Sequence, residues 1–398
     1  MSVLRSLNQV AAVTWMNLRN VPARPSSSIV AMLGIAGVVA VLVAILSISA
    51  GFKKTLSGTG SADTAIVLRA GSSSELSSGI SAEDARIISQ APGIAQGADG
   101  PLTSSELYVV VDVPKRTTNT DANVPLRGVQ ETAFEVRQSL SIVEGRRFES
   151  GLREIIVGQA ASRQFAGLDV GADLQWGNNE WTVVGVFEDD GSLSESEIWT
   201  DTRVLQNAYN RGSSFQTVRA RLADIDAFQT FKDALTADSR LDVTVEREAD
   251  FYSGQSRVLT AIINSVGVAV TGLMGIGAIF AAILTMYAAV SARTREIATL
   301  RALGFGRIPI VVSVLIEALV LGVIGGIIGG VVAYYGFNGF QTSTLNWASF
   351  SQVSFAFAVT LPLLITGLIY ALIMGLFGGL LPSVRAARMP ITVALREL

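Results

Sequence analysis

Neither cysteine nor histidine occurs anywhere in the 398 residues. This excludes disulfides, thiol chemistry and the commonest zinc ligands, so a domain outside the cytoplasm has to hold itself together by packing. Charge is scarce as well: 16% of residues are charged against 49% hydrophobic, and mean hydropathy is +0.46. That balance places the chain in the membrane class. No glycine loop ending in Gly-Lys-Ser or Gly-Lys-Thr is present, so the chain lacks the usual cradle for ATP phosphates.

The charges present are unevenly spread. Lys53 to Arg257 holds 20 of the 30 basic and 30 of the 33 acidic residues, a balance of −10, and the rest of the chain is +7. An acidic polar portion with basic residues confined to membrane margins excludes a nucleic-acid partner. It also gives an orientation. Arginines before the first apolar run, between the second and third, and after the fourth place both termini in the cytoplasm and the acidic portion outside.

Residues 1–25 read as an amphipathic interfacial helix, with Arg5, Asn8, Gln9 and Arg19 on one face and Val3, Leu7, Val10 and Leu18 on the other. Span one follows at 29–50, uncharged and long enough for a hydrocarbon core of about 30 Å. A cleaved signal peptide is the competing reading, but the apolar core lies too far from the start and Ile48 stands where a small residue belongs. The extracytoplasmic domain is expected at 51–258. Its first half is a strand at Thr64–Arg69, a helix capped by Ser81 and ended by Pro92-Gly93, and a strand at Glu106–Val113. A β-rich insert at about 124–217 follows, with strands near Pro125–Val129, Ile155–Val157, Asp173–Trp176 and Trp181–Phe187. A strand at Val218–Leu222, a helix at Ile225–Leu235 and a strand at Val243–Glu246 then repeat the first order. The fold class is therefore a membrane protein with four transmembrane helices and an α+β extracytoplasmic domain inserted between spans one and two.

The remaining spans are expected at 262–290, 308–335 and 355–381, with an outer hairpin at 336–354 and a cytoplasmic tail at 382–398. The hairpin is uncharged and rich in aromatics (Phe337, Phe340, Trp347 and Phe350), which suits an interfacial belt. In span three, Gly322, Gly326 and Gly330 recur every four residues beside Gly325 and Gly329, a pattern for close helix approach within the chain or in a dimer. Ala36, Ala40 and Ala44 repeat it more weakly in span one. Glu317 is the sole acid within an apolar run. Two roles are open to it: a structural pair, for instance with an arginine of the adjoining loop about ten residues away, or a part in transport. No catalytic, cofactor or metal residue can be assigned.

The loop at 291–307, SARTREIATLRALGFGR, carries the most specific pattern. Ile297, Leu300 and Leu303 recur at helical spacing, Gly304 is suited to stop a helix, and Pro309 fits the first turn of the next one. A helix over Arg293–Leu303 results, held at the membrane face. Arginines alone fit any cytoplasmic loop. The order R-x-R-E-I-x-x-L-R-A-L-G is more telling, and it resembles the signature of the MacB/FtsX-type permeases of ABC transporters, the macrolide-exporter-like or type VII class. The pieces VEGRRF at Val143–Phe148, IIVGQAA at Ile155–Ala161, WTVVGVF at Trp181–Phe187 and the tail LPSVRAARMPITVALR carry the resemblance over essentially the whole chain.

The resemblance implies that 291–307 is a coupling helix seated on a cytoplasmic ATPase. Arg293, Arg295, Glu296, Ile297, Leu300, Arg301, Leu303 and Gly304 would form the contact, with Ile297, Leu300 and Leu303 as its apolar side and the charges at its rim. It further implies two ATPase subunits that bind ATP and magnesium, a second permease copy or sister permease, a periplasmic adaptor or membrane-fusion protein as a further partner, and a place in the bacterial inner membrane. The chain itself is then not an enzyme but a permease that exports or extracts a substrate by mechanotransmission. The alternative is an FtsX-like regulator of an extracytoplasmic cell-wall hydrolase. An ion-driven carrier would need more spans and more intramembrane charge.

Overall fold

The computed structural model describes residues 9–16, 19, 25–346 and 349–388, which fall into two compact units. One comprises residues 51–260 and 341–356, the other residues 1–50, 261–340 and 357–398. Most of the expected interfacial helix and of the basic tail, together with Trp347, lies outside the described residues. Residues 9–16 are helical.

The first unit is α+β. The strands of its main sheet are β1 (Thr64–Arg69), β2 (Thr103–Pro114), β3 (Asp121–Val129), β4 (Ser141–Gly145), β5 (Glu154–Gly158), β6 (Asp173–Trp176), β7 (Asn179–Glu188), β8 (Ile198–Asp201), β9 (Thr217–Arg221) and β10 (Val243–Arg247). They form one ten-stranded sheet in the order β10-β1-β9-β2-β3-β8-β5-β7-β4, with β6 paired to β7. The β3–β8 and β5–β7 pairs are parallel and the other pairs antiparallel.

Two apolar cores divide this sheet. Ala65, Val67, Val218, Ala220 and Val245 pack with Ile88 of the helix Ala82–Ser89 and with Phe231 and Leu235 of the helix Ala227–Ala237. Two helices and three of the four strands of the expected strand-helix-strand units meet here, whereas the strand expected at Glu106–Val113 contributes Leu107 and Val109 to the other core. Ser81 starts the first helix with a full capping box: its side chain accepts from the Asp84 amide, and Asp84 accepts from the Ser81 amide. The second core gathers Leu107, Val109, Val124, Leu126, Ile155, Val157, Trp181 and Ile198.

The insert is not a separate sheet, because β2 serves both halves. Its first residues pair with β9 (Glu106 opposite Thr217), and its later ones pair with β3 (Leu107 opposite Gly128). Strands β4 and β8 were not expected. β8 is only four residues long and lies between two neighbours in mid-sheet, so it carries no alternating pattern of its own.

The expected hairpin between spans three and four is present and packs on the α+β unit. Residues Gln341–Asn346 and Ser351–Ala356 are antiparallel strands, β11 and β12, and they belong to the α+β unit. The Tyr108 and Ser351 hydroxyls hydrogen-bond at 3.0 Å, Asn123 donates to the Phe350 carbonyl at 2.9 Å, and the Ser354 amide donates to Ser196 Oγ at 3.0 Å. Phe355 meets Phe52 edge-on. Since Phe355 and Ala356 are thus used in the strand, the fourth long helix starts at Leu361 rather than at 355.

Among the described residues, four helices are long and apolar enough to cross a membrane: α1 (Pro25–Ser57), α2 (Glu248–Ser291), α3 (Arg307–Phe337) and α4 (Leu361–Arg388). At about 1.5 Å per residue the 44 residues of α2 run about 66 Å, well beyond a hydrocarbon core of about 30 Å. The glycines of α3 work within this chain. A Cβ at Gly326 would lie 2.7 Å from Ala371 Cβ, and one at Gly322 would lie 2.9 Å from the Ala371 carbonyl oxygen, both on α4. Gly330 faces Leu364 of the same helix. Gly325 and Gly329 form a second stripe against α1, where Gly329 meets the carbonyl of Ala36. Helix α4 reciprocates, since Gly375 and Gly379 both close on Ala318. The five glycines therefore serve two intrachain faces rather than one side of the helix. Ala36 is buried and Ala40 half-buried.

Candidate coupling segment and buried ion networks

The loop after α2 folds as expected. A helix spans Thr294–Ala302, flanked by Arg293 and Leu303. Gly304 adopts φ +92°, its amide donates to the Arg301 carbonyl and the Phe305 amide donates to the Leu300 carbonyl. This pair of bonds satisfies the last carbonyls of the helix, and it requires a left-handed residue at position 304. Pro309 lies in the first turn of α3, where its missing N–H costs nothing.

The faces of this helix differ from the expectation. Ile297 is buried in a cluster with Val290, Ile310 and Val314 of the flanking spans. Leu300 is half-buried and shares a small void with Val13 and Met16 of the N-terminal helix. A nine-residue helix gains little from propensity alone, so its apolar side closes on its own chain. Only Leu303, 73% exposed, of the three apolar residues projects outward; Ile308, equally exposed, joins it as an outward apolar residue that was not singled out from the sequence. Arg295 is exposed. Glu296 and Arg301 both have interaction partners.

Arg293 is buried and not at the rim. Its Nη2 lies 2.5 and 2.6 Å from the two carboxylate oxygens of Glu317, while its Nε donates to the Ala289 carbonyl at 3.4 Å. Both side chains are about 5% exposed. Of the two roles open to Glu317, the pairing is the one seen.

A larger network fills the α+β unit, and no part of it was singled out from the sequence. Arg127 on β3 binds Glu197 through Nε and Nη2 at 2.7 Å, Glu75 at 2.5 Å and Glu106 at 3.0 Å. Arg219 on β9 binds Glu106, Glu75 at 2.9 Å and Glu248 at 2.6 Å. Arg137 embraces both oxygens of Glu106 at 2.8 and 3.0 Å. Tyr252, one turn into α2, receives a hydrogen bond from Arg219 and donates one to Glu75 at 2.8 Å. These side chains come from strands, loops and the head of α2, so nothing short of the fold brings them together. The only local signal is charge inside runs otherwise suited to buried strands, as in TSSELYVVV and PLRGV.

Burial pushes the Glu106 carboxyl up, but the Arg137, Arg219 and Arg127 guanidiniums outweigh it and hold it at about 2. Glu75 is treated alike: burial raises it, and Arg127 and Arg219 bring it well below the usual carboxylate range. For Arg127 burial disfavours the charged form, and Glu197 and Glu75 more than reverse this. All three stay ionised at neutral pH. Burial pushes the neighbouring Tyr108 hydroxyl up.

Residues 28–238 match the MacB-like periplasmic core domain family, and residues 268–391 match the FtsX-like permease C-terminal family. The first match alone spans more than half of the chain. The protein belongs to the MacB/FtsX-type ABC transporter permeases. A permease of this family is the transmembrane component of an ABC transporter, set in the inner membrane and working with an ABC ATPase. Among solved structures, the extracellular domain of the noncanonical ABC-type transporter YknZ from Gram-positive bacteria is 18% identical. It covers 46% of this chain and 99% of its own, with a TM-score of 0.35. The periplasmic region of MacB from Actinobacillus actinomycetemcomitans is 15% identical over 48% of this permease and 91% of that chain, with a TM-score of 0.37. No curated protein sequence matches.

Proposed function

We propose that this permease is the transmission element of an exporter of the MacB type: ATP-driven movement of two ATPase subunits reaches it through residues 291–307 and leaves it through the α+β unit. The observation that carries the reading is the construction of α2. Its first turns hold Glu248 and Tyr252 in the Arg127/Arg219 network, residues 261–290 carry no charge, and its last residues lead directly into the Arg293 pair. A helix with an ionic anchor near each end suits the passage of force better than the passage of cargo. Nucleotide and magnesium are then held by the ATPase chains, and the permease acts as a pair of copies or beside a sister permease. Both termini are assigned to the cytoplasm by the arginine distribution.

The family also includes regulators of extracytoplasmic cell-wall hydrolases, and the same device would serve that role. The deciding experiment is purification of the intact complex from its native membrane in mild detergent, followed by identification of what accompanies it. An ABC ATPase with a periplasmic adaptor supports export. An ABC ATPase with a cell-wall hydrolase supports regulation in place of export, and absence of any ABC ATPase contradicts the transmission reading.

A further inference from the structure

A cavity of about 330 Å³ opens in the α+β unit beside the ion network, at the lower end of the range of roughly 300–1,000 Å³ typical of small-molecule sites. Its lining includes Glu248, Thr64 and Ser194, each more than nine-tenths buried.

The network next to it is one positive charge short. Three guanidiniums (Arg127, Arg137 and Arg219) face four carboxylates (Glu75, Glu106, Glu197 and Glu248). Both oxygens of Glu75, Glu106 and Glu197 accept hydrogen bonds, and so does Oε1 of Glu248. The eighth oxygen, Glu248 Oε2, has no partner among the described residues and is not sealed within the protein. The same holds for the hydroxyls of Thr64 and Ser194.

The rest of the lining adds to the deficit. Its two arginines are already engaged, Arg137 by Glu106 and Arg221 by Asp63 at 3.3 Å. Asp189 is buried, and its carboxylate accepts from the Ser139 and Ser192 hydroxyls, which bring no charge. With one carboxylate more than guanidiniums in the network and Asp189 balanced only by hydroxyls, the cavity favours a cation.

We propose that this cavity binds a protonated amine, whose ammonium group completes the ion network at Glu248. An ammonium offers three N–H donors, and the cavity lining holds Glu248, Thr64 and Ser194, whose Oε2, Oγ1 and Oγ are acceptors without a partner among the described residues. A metal ion is a poorer occupant, because no group of three or more Asp, Glu, His or Cys is placed to hold one among the described residues. Since Glu248 heads α2, occupancy would stiffen the joint between that helix and the sheet. The inference is independent of whether the permease exports or regulates.

The test is isothermal titration of the full-length permease in detergent with putrescine, with 1,4-butanediol as a neutral match of similar length and potassium chloride at equal ionic strength. One saturable putrescine site per chain is expected, with no binding of the diol and no competition by potassium. Thr64→Val and Ser194→Ala leave the network untouched and should each weaken binding about threefold to tenfold, and Glu248→Gln should weaken it by more than about tenfold. Should Glu248→Gln fail to fold, the two hydroxyl variants decide. Lack of saturable putrescine binding, equal binding of the diol, displacement by potassium at matched ionic strength, or unchanged affinity in both hydroxyl variants would each overturn the proposal.

Discussion

Arg293, just ahead of the coupling helix, and Glu317, in the third turn of span three, form a buried two-oxygen ion pair at 2.5 and 2.6 Å. The pair ties the loop to the helix that follows it, so the two should move as one piece. Breaking a buried pair from one side strands a charge and costs about 3–5 kcal/mol, whereas replacing both members by apolar residues of similar volume is often neutral. Arg293→Met or Glu317→Leu alone should sharply lower the thermal midpoint of the detergent-solubilised permease. The double variant should recover most of the loss. Additive losses in the double variant would show that the pair is not coupled as seen.

Helix packing in the membrane unit rests on glycines with no room for a side chain. Gly326→Leu and Gly329→Leu would drive bulk into Ala371 and into the backbone at Ala36, and overpacking of a tight interface costs typically about 1–3 kcal/mol or more. Val332→Leu, at an exposed position of the same helix, should be silent. The check is the yield of folded monomer by size-exclusion chromatography after mild heating; equal behaviour of all three would mean that the helices do not meet there.

The α+β unit should be sensitive to acid. Glu106 is held at about 2 against an ordinary 4.5, and Glu75 is also depressed, so below 4.5 the unfolded chain binds more protons than the native one. Their contribution is complete above pH 4.5 and is lost progressively as pH falls towards 2. Near-ultraviolet circular dichroism from the buried Trp181 and Trp199 should report a urea midpoint that is level at pH 6–7 and falls steeply below about 4.5. A midpoint independent of pH down to 2 would contradict the ionised network.

The absence of native cysteine makes orientation directly testable. Ser73→Cys and Thr299→Cys place single thiols at exposed positions on the α+β unit and on the coupling helix. In intact cells a membrane-impermeant maleimide should label the first alone. Labelling of Thr299→Cys in intact cells would reverse the assigned topology.

Much of this architecture can be read directly from the residues, and the exceptions share a cause. Strands such as Thr64–Arg69 and Asp173–Trp176, the Ser81 cap and the Gly304 stop are written in a few consecutive residues, so local chemistry reveals them. The ion network joins residues as distant as Glu75 and Tyr252, and no spacing announces it. The outer hairpin at 341–356 is legible as a hairpin, but its contacts with the α+β unit are not, because a run of uncharged aromatic and polar residues suits a membrane interface and a packed β-hairpin equally well. For the coupling helix the period was right but the faces were not: Ile297 and Leu300 do form an apolar side, and that side is claimed by the chain's own helices.

Leu303 is therefore the most direct probe of the central claim that residues 291–307 engage the ATPase. It is 73% exposed, so Leu303→Asp perturbs no core, whereas Leu300→Asp would also disturb the packing beside Val13 and Met16. A buried apolar anchor at an interface is typically worth about 2 kcal/mol or more, and a rim charge pair about 0–1 kcal/mol. The decisive measurement is the amount of ABC ATPase that co-purifies with Leu303→Asp permease relative to Arg295→Ala and the unaltered chain, with thermal midpoints confirming that all three are folded. The account predicts loss of the ATPase from folded Leu303→Asp permease and near-normal retention by Arg295→Ala; full retention by Leu303→Asp would contradict it.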